Sequence, residues 1–168
     1  SGAATEGADH ASLSSITIAA GRTTGTTNFT PTDDAIYEGD EVATVAIASV
    51  SGGGATESGS QSVSITITEN ETAPTVSLAS SGTSISESST STITLTATLS
   101  QIADEAVTVS FSTSSFSTSG IATSGTDYSS ISSITIAAGS TTGTTSFTPT
   151  DDSIYEGDEV ATVAIASV

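Results

Sequence analysis

The stretch TITLTATL at residues 92–99 sets Ile93, Leu95, Ala97 and Leu99 on one side and Thr92, Thr94, Thr96 and Thr98 on the other. A period of two over eight residues describes a β-strand with one buried face, because successive side chains of a pleated strand point to opposite faces. Threonine on the wet face strengthens the reading, since its branched Cβ suits an extended backbone. The alternation returns at Val63, Ile65 and Ile67 and at Val107, Val109 and Phe111. No 3.6-residue apolar pattern runs for ten residues, so the sequence predicts an all-β protein.

A long internal repeat organises these strands. ITIAAGRTTGTTNFTPTDDAIYEGDEVATVAIASV at 16–50 returns at 134–168, with Arg22, Asn28 and Ala35 replaced by Ser140, Ser146 and Ser153. Upstream, SGAATEGADHASLSS at 1–15 aligns with SGIATSGTDYSSISS at 119–133. The offset of 118 residues is too long for a solenoid coil or a propeller blade and matches one sandwich domain. ENETAPTV at 69–76, with its proline between two alternating stretches, is the expected junction. Residues 1–72 then form the C-terminal part of one repeat, and 73–168 the N-terminal and central part of the next. Strands are expected near 61–69, 75–80, 91–99, 105–112, 131–137, 143–149 and 158–168. About seven short strands in roughly 100 residues describe a two-sheet antiparallel sandwich. By this reading the first copy lacks its opening strands and the second its last one, so open sheet edges are expected in both.

Charge narrows the function. The 168 residues carry 19 Asp and Glu against a single basic residue, Arg22, for a formal net charge of -18. Nothing in the chain is suited to neutralise phosphate, which argues against nucleic acid and anionic membranes as partners. With no Cys, neither a disulfide framework nor a thiolate metal site is available. No stretch reaches the roughly 18 apolar residues of a membrane-spanning helix. The orderly alternation of apolar residues argues against the disorder that such a composition otherwise suggests.

The acids are concentrated. TDDAIYEGDE at 32–41 holds five carboxylates in ten residues, and TDDSIYEGDE at 150–159 repeats the arrangement between two expected strands. Two carboxylates about 5 Å apart repel by roughly 1 to 3 kcal/mol, so Asp151, Asp152, Glu156 and Glu159 converge only around a cation. Ca²⁺ suits them because it takes six to eight oxygen ligands in flexible geometry. Mg²⁺ demands a tighter octahedron, and Zn²⁺ recruits His or Cys, both absent from this loop. His10 takes the place of Tyr128 in the other copy and reads as a packing or capping residue. Tyr37 and Tyr155 are expected to anchor the acidic loops. A single His gives no support to a Ser-His-Asp mechanism. Aromatics at 4% leave little with which to line the sugar cleft that paired glycosidase carboxylates require. The chain reads as a non-enzyme. Its Thr-x-Thr strands are too short and twisted to form an ice-binding array. Asn28 and Asn70 stand in glycosylation sequons, but the first is not repeated at Ser146.

Together GTDY at 125–128, AAGSTTGTTSFTPTDD leading into the acidic loop, and the strand after DDSIYEGDE resemble the Calx-beta domain over the whole period. The resemblance implies an immunoglobulin-like sandwich holding Ca²⁺ in loops at one end. Carried over by position, the implied ligands of the second copy are Glu87, Asp127, Asp151, Asp152, Glu156 and Glu159, with the Ile154 carbonyl. Those of the first are Asp9, Asp33, Asp34, Glu38 and Glu41, with the Ile36 carbonyl, and Glu69 and Glu71 where the family often ends its last strand in a run of Asp. Asp40 and Asp158 fit an outward or an inward position equally.

The functional expectation is a Ca²⁺-stiffened spacer in a secreted or surface-anchored bacterial adhesin or an extracellular fibre. Near-identical repeats suit a part whose task is length, and neighbouring repeats or like chains are its partners. The alternatives are an adhesive module that recognises glycan or protein through Ca²⁺-ordered loops, and a Ca²⁺-sensing regulatory domain. Millimolar Ca²⁺ outside cells fills even weak sites, and salty surroundings damp the self-repulsion of so acidic a chain.

Overall fold

A computed structural model describes residues 2–114 and 120–168; Ser1 and Ser119, where the aligned segments begin, lie outside them. The chain divides into two compact units, Ser1–Glu71 and Thr72–Val168. All nine regular elements among the described residues are strands, so the all-β expectation holds.

The second unit is a two-sheet sandwich. One sheet has the order β4 (Val76–Ser80), β5 (Ile93–Leu99), β8 (Thr142–Phe147), and the other β7 (Ile134–Ile136), β6 (Val107–Ser114), β9 (Thr162–Ser167). Every pairing among these strands is antiparallel. The threonine-faced strand that betrays the fold in sequence is β5, the centre of its sheet, and its burial alternates through to Leu99. Leu95, Ala97 and Leu99 meet Val109, Ile134 and Ile136 in the core between the sheets. Burial of side chains of this size contributes about 1.5 to 3 kcal/mol each, which explains why the sandwich closes here. Gly143 permits the tightest approach. A Cβ there would lie 2.6 Å from Ile134 Cγ2 and 2.8 Å from the Thr135 carbonyl oxygen.

The first unit contains β1 (Gly2–Ala3), β2 (Glu41–Ala46) and β3 (Ser62–Ile67) in one sheet of that order. β1 runs parallel to β2, and β3 antiparallel to it, with Glu41 opposite Ile67 and Ala46 opposite Ser62. Although residues 16–18 and 24–29 repeat the sequences of β7 and β8 almost unchanged, they join no ladder. Ile16 and Ile18 are 54% and 56% exposed, whereas Ile134 and Ile136 are 1% and 0%. Ile134 and Ile136 owe their burial to β6, which pairs with them, and to β5 across the core.

Candidate metal centres

Each unit brings three carboxylates together from two separate places in the sequence. Oxygens of Asp127, Glu156 and Glu159 lie within 4.8 Å of one another, and so do those of Asp9, Glu38 and Glu41. The backbone reasons are the same in both copies. Thr150 N–H donates to the Asp127 carbonyl at 2.9 Å, as Thr32 N–H does to that of Asp9, and this fastens the aspartate loop to the start of the acidic loop. One carboxylate oxygen of Asp127 accepts the Thr123 N–H at 2.5 Å, and one of Asp9 accepts the Thr5 N–H at the same distance. These short charge-assisted bonds fix the carboxylates in place. Next to the aspartate, Tyr128 is 2% exposed and stacks on Phe147 at 4.7 Å, and His10 is 7% exposed and packs on Phe29 at 4.8 Å. The His10 ring nitrogen Nδ1 lies 3.1 Å from the Ala11 carbonyl. His10 is therefore a packing residue, as its alignment with Tyr128 suggests.

The third carboxylate, Glu41 at the start of β2 and Glu159 just before the isolated bridge at Val160, passes over a glycine. A Cβ on Gly120 would approach Glu159 Cγ to 3.1 Å and the Asp158 carbonyl oxygen to 2.8 Å, and one on Gly2 would meet Glu41 Oε1 at 3.0 Å. These two glycines carry no chemistry, and reasoning on ligand types passes over them. Their repetition at the same offset is the one signal that marks them.

Of the other expected ligands, Asp34 and Asp152 turn back on their own loops. Each accepts an N–H two residues on, from Ile36 at 2.8 Å and from Ile154 at 2.6 Å, closing the turn before the tyrosine. Asp33 accepts from Asn70 Nδ2 at 2.9 Å. Asp151 is exposed and stands outside both triads. Glu87 is close enough to raise the pKa of both Glu156 and Glu159. It shares with Asp127 and those two glutamates a cleft of about 680 Å³, which runs inward over Leu95 and Val163.

Glu69 takes on a different task from the one expected. Its Oε2 accepts the N–H groups of Glu38 and Gly39, both at 2.6 Å, and its Oε1 those of Asn70 and Glu71, both at 2.9 Å. Partial burial works to raise its pKa, but the N–H bonds from Glu71, Glu38 and Gly39 outweigh it and hold the carboxyl at about 2. Asp40 completes the clasp by accepting the Glu69 N–H at 2.9 Å. Gly39, at φ 74°, allows the backbone turn that aims two successive N–H groups at one oxygen. Glu71 shares a hydrogen bond with Glu69, which raises its own pKa together with partial burial and the charges of Glu69 and Asp33.

Tyr155 corrects one expectation. Where Tyr37 is half-buried, Tyr155 is 97% exposed and anchors nothing. The clasp residues Glu69 and Asn70 tie down the loop that holds Tyr37.

Electrostatics in the second triad point to a cation. Loss of surrounding water first, and then the charges of Asp127, Asp152, Glu159 and Glu87, raise the pKa of Glu156. Glu159 is raised by the same loss, by the charge of Asp127 and a shared hydrogen bond with it, and by Glu87. All donors of the triad are hard oxygens. A Ca²⁺ ion holding carboxylates at 2.3 to 2.6 Å spaces opposite ligands by up to about 5 Å, and oxygens that all lie within 4.8 Å of one another are compatible with that span.

A β-sandwich with carboxylate clusters in its loops has the makings of a calcium-binding sandwich domain. The sequence model of the Calx-beta domain matches residues 1–71 and again 69–168, and the chain belongs to the Calx-beta family. Neither a curated protein nor a solved structure gives a significant match.

Proposed function

We propose that the chain is a calcium-binding structural repeat, a spacer in a secreted or cell-surface bacterial adhesin or an extracellular fibre. The observation that carries this reading is duplication of the cage: Asp9, Glu38 and Glu41 in one unit and Asp127, Glu156 and Glu159 in the other, with the same backbone ties 118 residues apart. A repeat preserved in its ion cage but unmarked by any second unusual feature suits length better than recognition. Ca²⁺ in the first unit would draw Glu38 and Glu41 together beside the Glu69 clasp, which is followed directly by the Thr72–Pro74 junction. Ion binding there opposes fraying of the segment that links repeats, and ligands assembled only in the folded state couple Ca²⁺ to stability. Among the described residues no helix is long and apolar enough to cross a membrane. In the parent protein, partners of this unit are neighbouring repeats.

Calorimetric titration of the 168-residue chain with CaCl₂ tests the reading. Asp127→Asn and Asp9→Asn should each remove one class of site while leaving the other. Small-angle scattering should show a larger maximum dimension with Ca²⁺ than with chelator. No heat and no rise in melting temperature at 10 mM-scale calcium, about the upper range for extracellular sites, would overturn it.

A further inference from the structure

We propose that Gly2 and Gly120 are positioning residues of the two cages: having no side chain, each leaves room for the last glutamate of the acidic segment, Glu41 or Glu159, to lie over its backbone and reach the aspartate. This role rests on the calcium reading above. Both glycines open a short segment that touches two of the three carboxylate residues. In the first unit Gly2 pairs with Glu41 and Ala3 with Val42 in the parallel ladder of β1 and β2. Ala4 N–H then donates to the Val42 carbonyl at 3.1 Å, and Thr5 N–H donates to the Asp9 carboxylate. The second unit follows the same course 118 residues on. Ile121 bridges Val160 in parallel, Ala122 N–H donates to the Val160 carbonyl at 3.3 Å, and Thr123 N–H donates to the Asp127 carboxylate. Residues 2–5 and 120–123 therefore set how the glutamate stands to the aspartate, while Glu38 and Glu156 come from the loop.

The clearance is narrow. A Cβ on Gly2 would lie 3.0 Å from Glu41 Oε1, whereas Cδ and Cγ of that side chain are at 3.8 Å, ordinary contact. An added methyl group thus crowds the carboxylate end of Glu41, and that oxygen has to give by a few tenths of an ångström. Ca²⁺ holds its oxygens between about 2.3 and 2.6 Å, so a displacement of that size spans the whole range. On Gly120, at φ 77°, a Cβ would press on the root of Glu159 instead, 3.1 Å from Cγ and 3.4 Å from Cα, and on the Asp158 carbonyl oxygen at 2.8 Å. Substitution there strains the backbone as well as the glutamate, which makes Gly2 the cleaner place to add a methyl group.

Calorimetric titration with CaCl₂ of the full chain carrying Asp127→Asn, which leaves the first cage, compares Gly2→Ala with Gly21→Ala. Gly21 stands at φ 74° and, among the described residues, nothing lies within 4 Å of a Cβ there, so its substitution adds backbone strain without touching the cage. Gly2→Ala should lower the Ca²⁺ affinity about tenfold or more, as the loss of a residue that orients a metal ligand does, and leave the melting profile in chelator unchanged. Gly21→Ala should lower the melting temperature and leave the affinity unchanged. In chelator the side-chain carboxyl carbon resonance of Glu41 should shift with Gly2→Ala and stay in place with Gly21→Ala. An affinity that Gly2→Ala leaves unchanged, or that Gly21→Ala lowers as much, would overturn the proposal, as would an unmoved Glu41 resonance. Absence of heat from the Asp127→Asn parent would instead overturn the calcium reading, and the Glu41 resonance would still decide the positioning.

Discussion

Replacing Glu69 by Gln removes the charge that holds the first acidic loop while keeping the side-chain length. The carboxylate accepts four backbone N–H groups, two from the loop at Glu38 and Gly39 and two from its own strand end. Gln keeps one acceptor and turns an NH₂ toward N–H groups that have no use for a donor. A fall in pKa from 4.5 to about 2 corresponds to about 3 kcal/mol at 1.36 kcal/mol per unit. The carboxylate keeps some contact with water, so we expect about 1 to 2 kcal/mol in stability of the first unit. The pH dependence has a definite sign. A carboxyl depressed in the folded state contributes its stability fully above the unfolded value near 4.5, and loses it as pH falls through about 2. The difference between wild type and Glu69→Gln should therefore be constant from pH 7 to about 5 and shrink below. Urea unfolding of the full chain in chelator measures the difference, and amide resonances of Glu38 and Gly39 report the titration directly. A midpoint at those amides in the ordinary glutamate range, together with an unfolding shift below about 0.3 kcal/mol, would refute the clasp.

Three further outcomes are expected. Because Glu156 and Glu159 are raised in the folded chain, their contribution is present below the ordinary glutamate pKa and lost as pH rises through the folded value. In chelator the second unit should melt higher near pH 4.5 than at pH 7, and millimolar Ca²⁺ should remove that difference, as differential scanning calorimetry would show. Ile134→Ala should cost about 2 to 5 kcal/mol, whereas Ile16→Ala, at the matching position of the repeat, should cost less than about 1, because the first is 1% and the second 54% exposed; denaturant titration compares them. Gly143→Ala should destabilise the second unit by about 1 to 3 kcal/mol through overpacking, with a Cβ forced to 2.6 Å from Ile134 Cγ2, visible as a lowered melting temperature.

Strands were the most legible part of this sequence. The alternation of Ile93, Leu95, Ala97 and Leu99 locates β5, and the seven expected stretches each overlap a strand, with ends that differ by a few residues: β6 runs on to Ser114 and β8 begins at Thr142, whereas β7 and β9 are shorter than expected. The approach of Asp127 to Glu156 and Glu159 was legible only through the family resemblance, because backbone bonds such as Thr150 N–H to Asp127 C=O are set by how loops pack. The task of Glu69 was not legible at all. Residue type identifies a possible ligand, but whether a carboxylate turns to a cation or to four N–H groups depends on the local direction of the backbone at Gly39.

The two acidic loops carry this point further. DDAIYEGDE and DDSIYEGDE differ at one residue, yet one tyrosine is half-buried and the other wholly in water. Nine residues with five like charges do not hold themselves closed; each added carboxylate at about 5 Å costs roughly 1 to 3 kcal/mol. The first loop donates its Glu38 and Gly39 N–H groups to Glu69, and its Asp33 accepts from Asn70 Nδ2, so both ties come from the segment just after β3. The second loop has its charges raised in pKa instead, which is how an acidic cluster stores repulsion that a divalent cation can release. The same nine-residue code thus sits in two surroundings: Glu69 and Asn70 tie down the first loop, and in the second neighbouring carboxylates raise Glu156 and Glu159. Glu69→Gln in the Asp127→Asn background, which leaves the first cage, should weaken Ca²⁺ binding measured by calorimetry, and an unchanged affinity would show that the Glu69 tie to the Glu38 N–H does not position that cage.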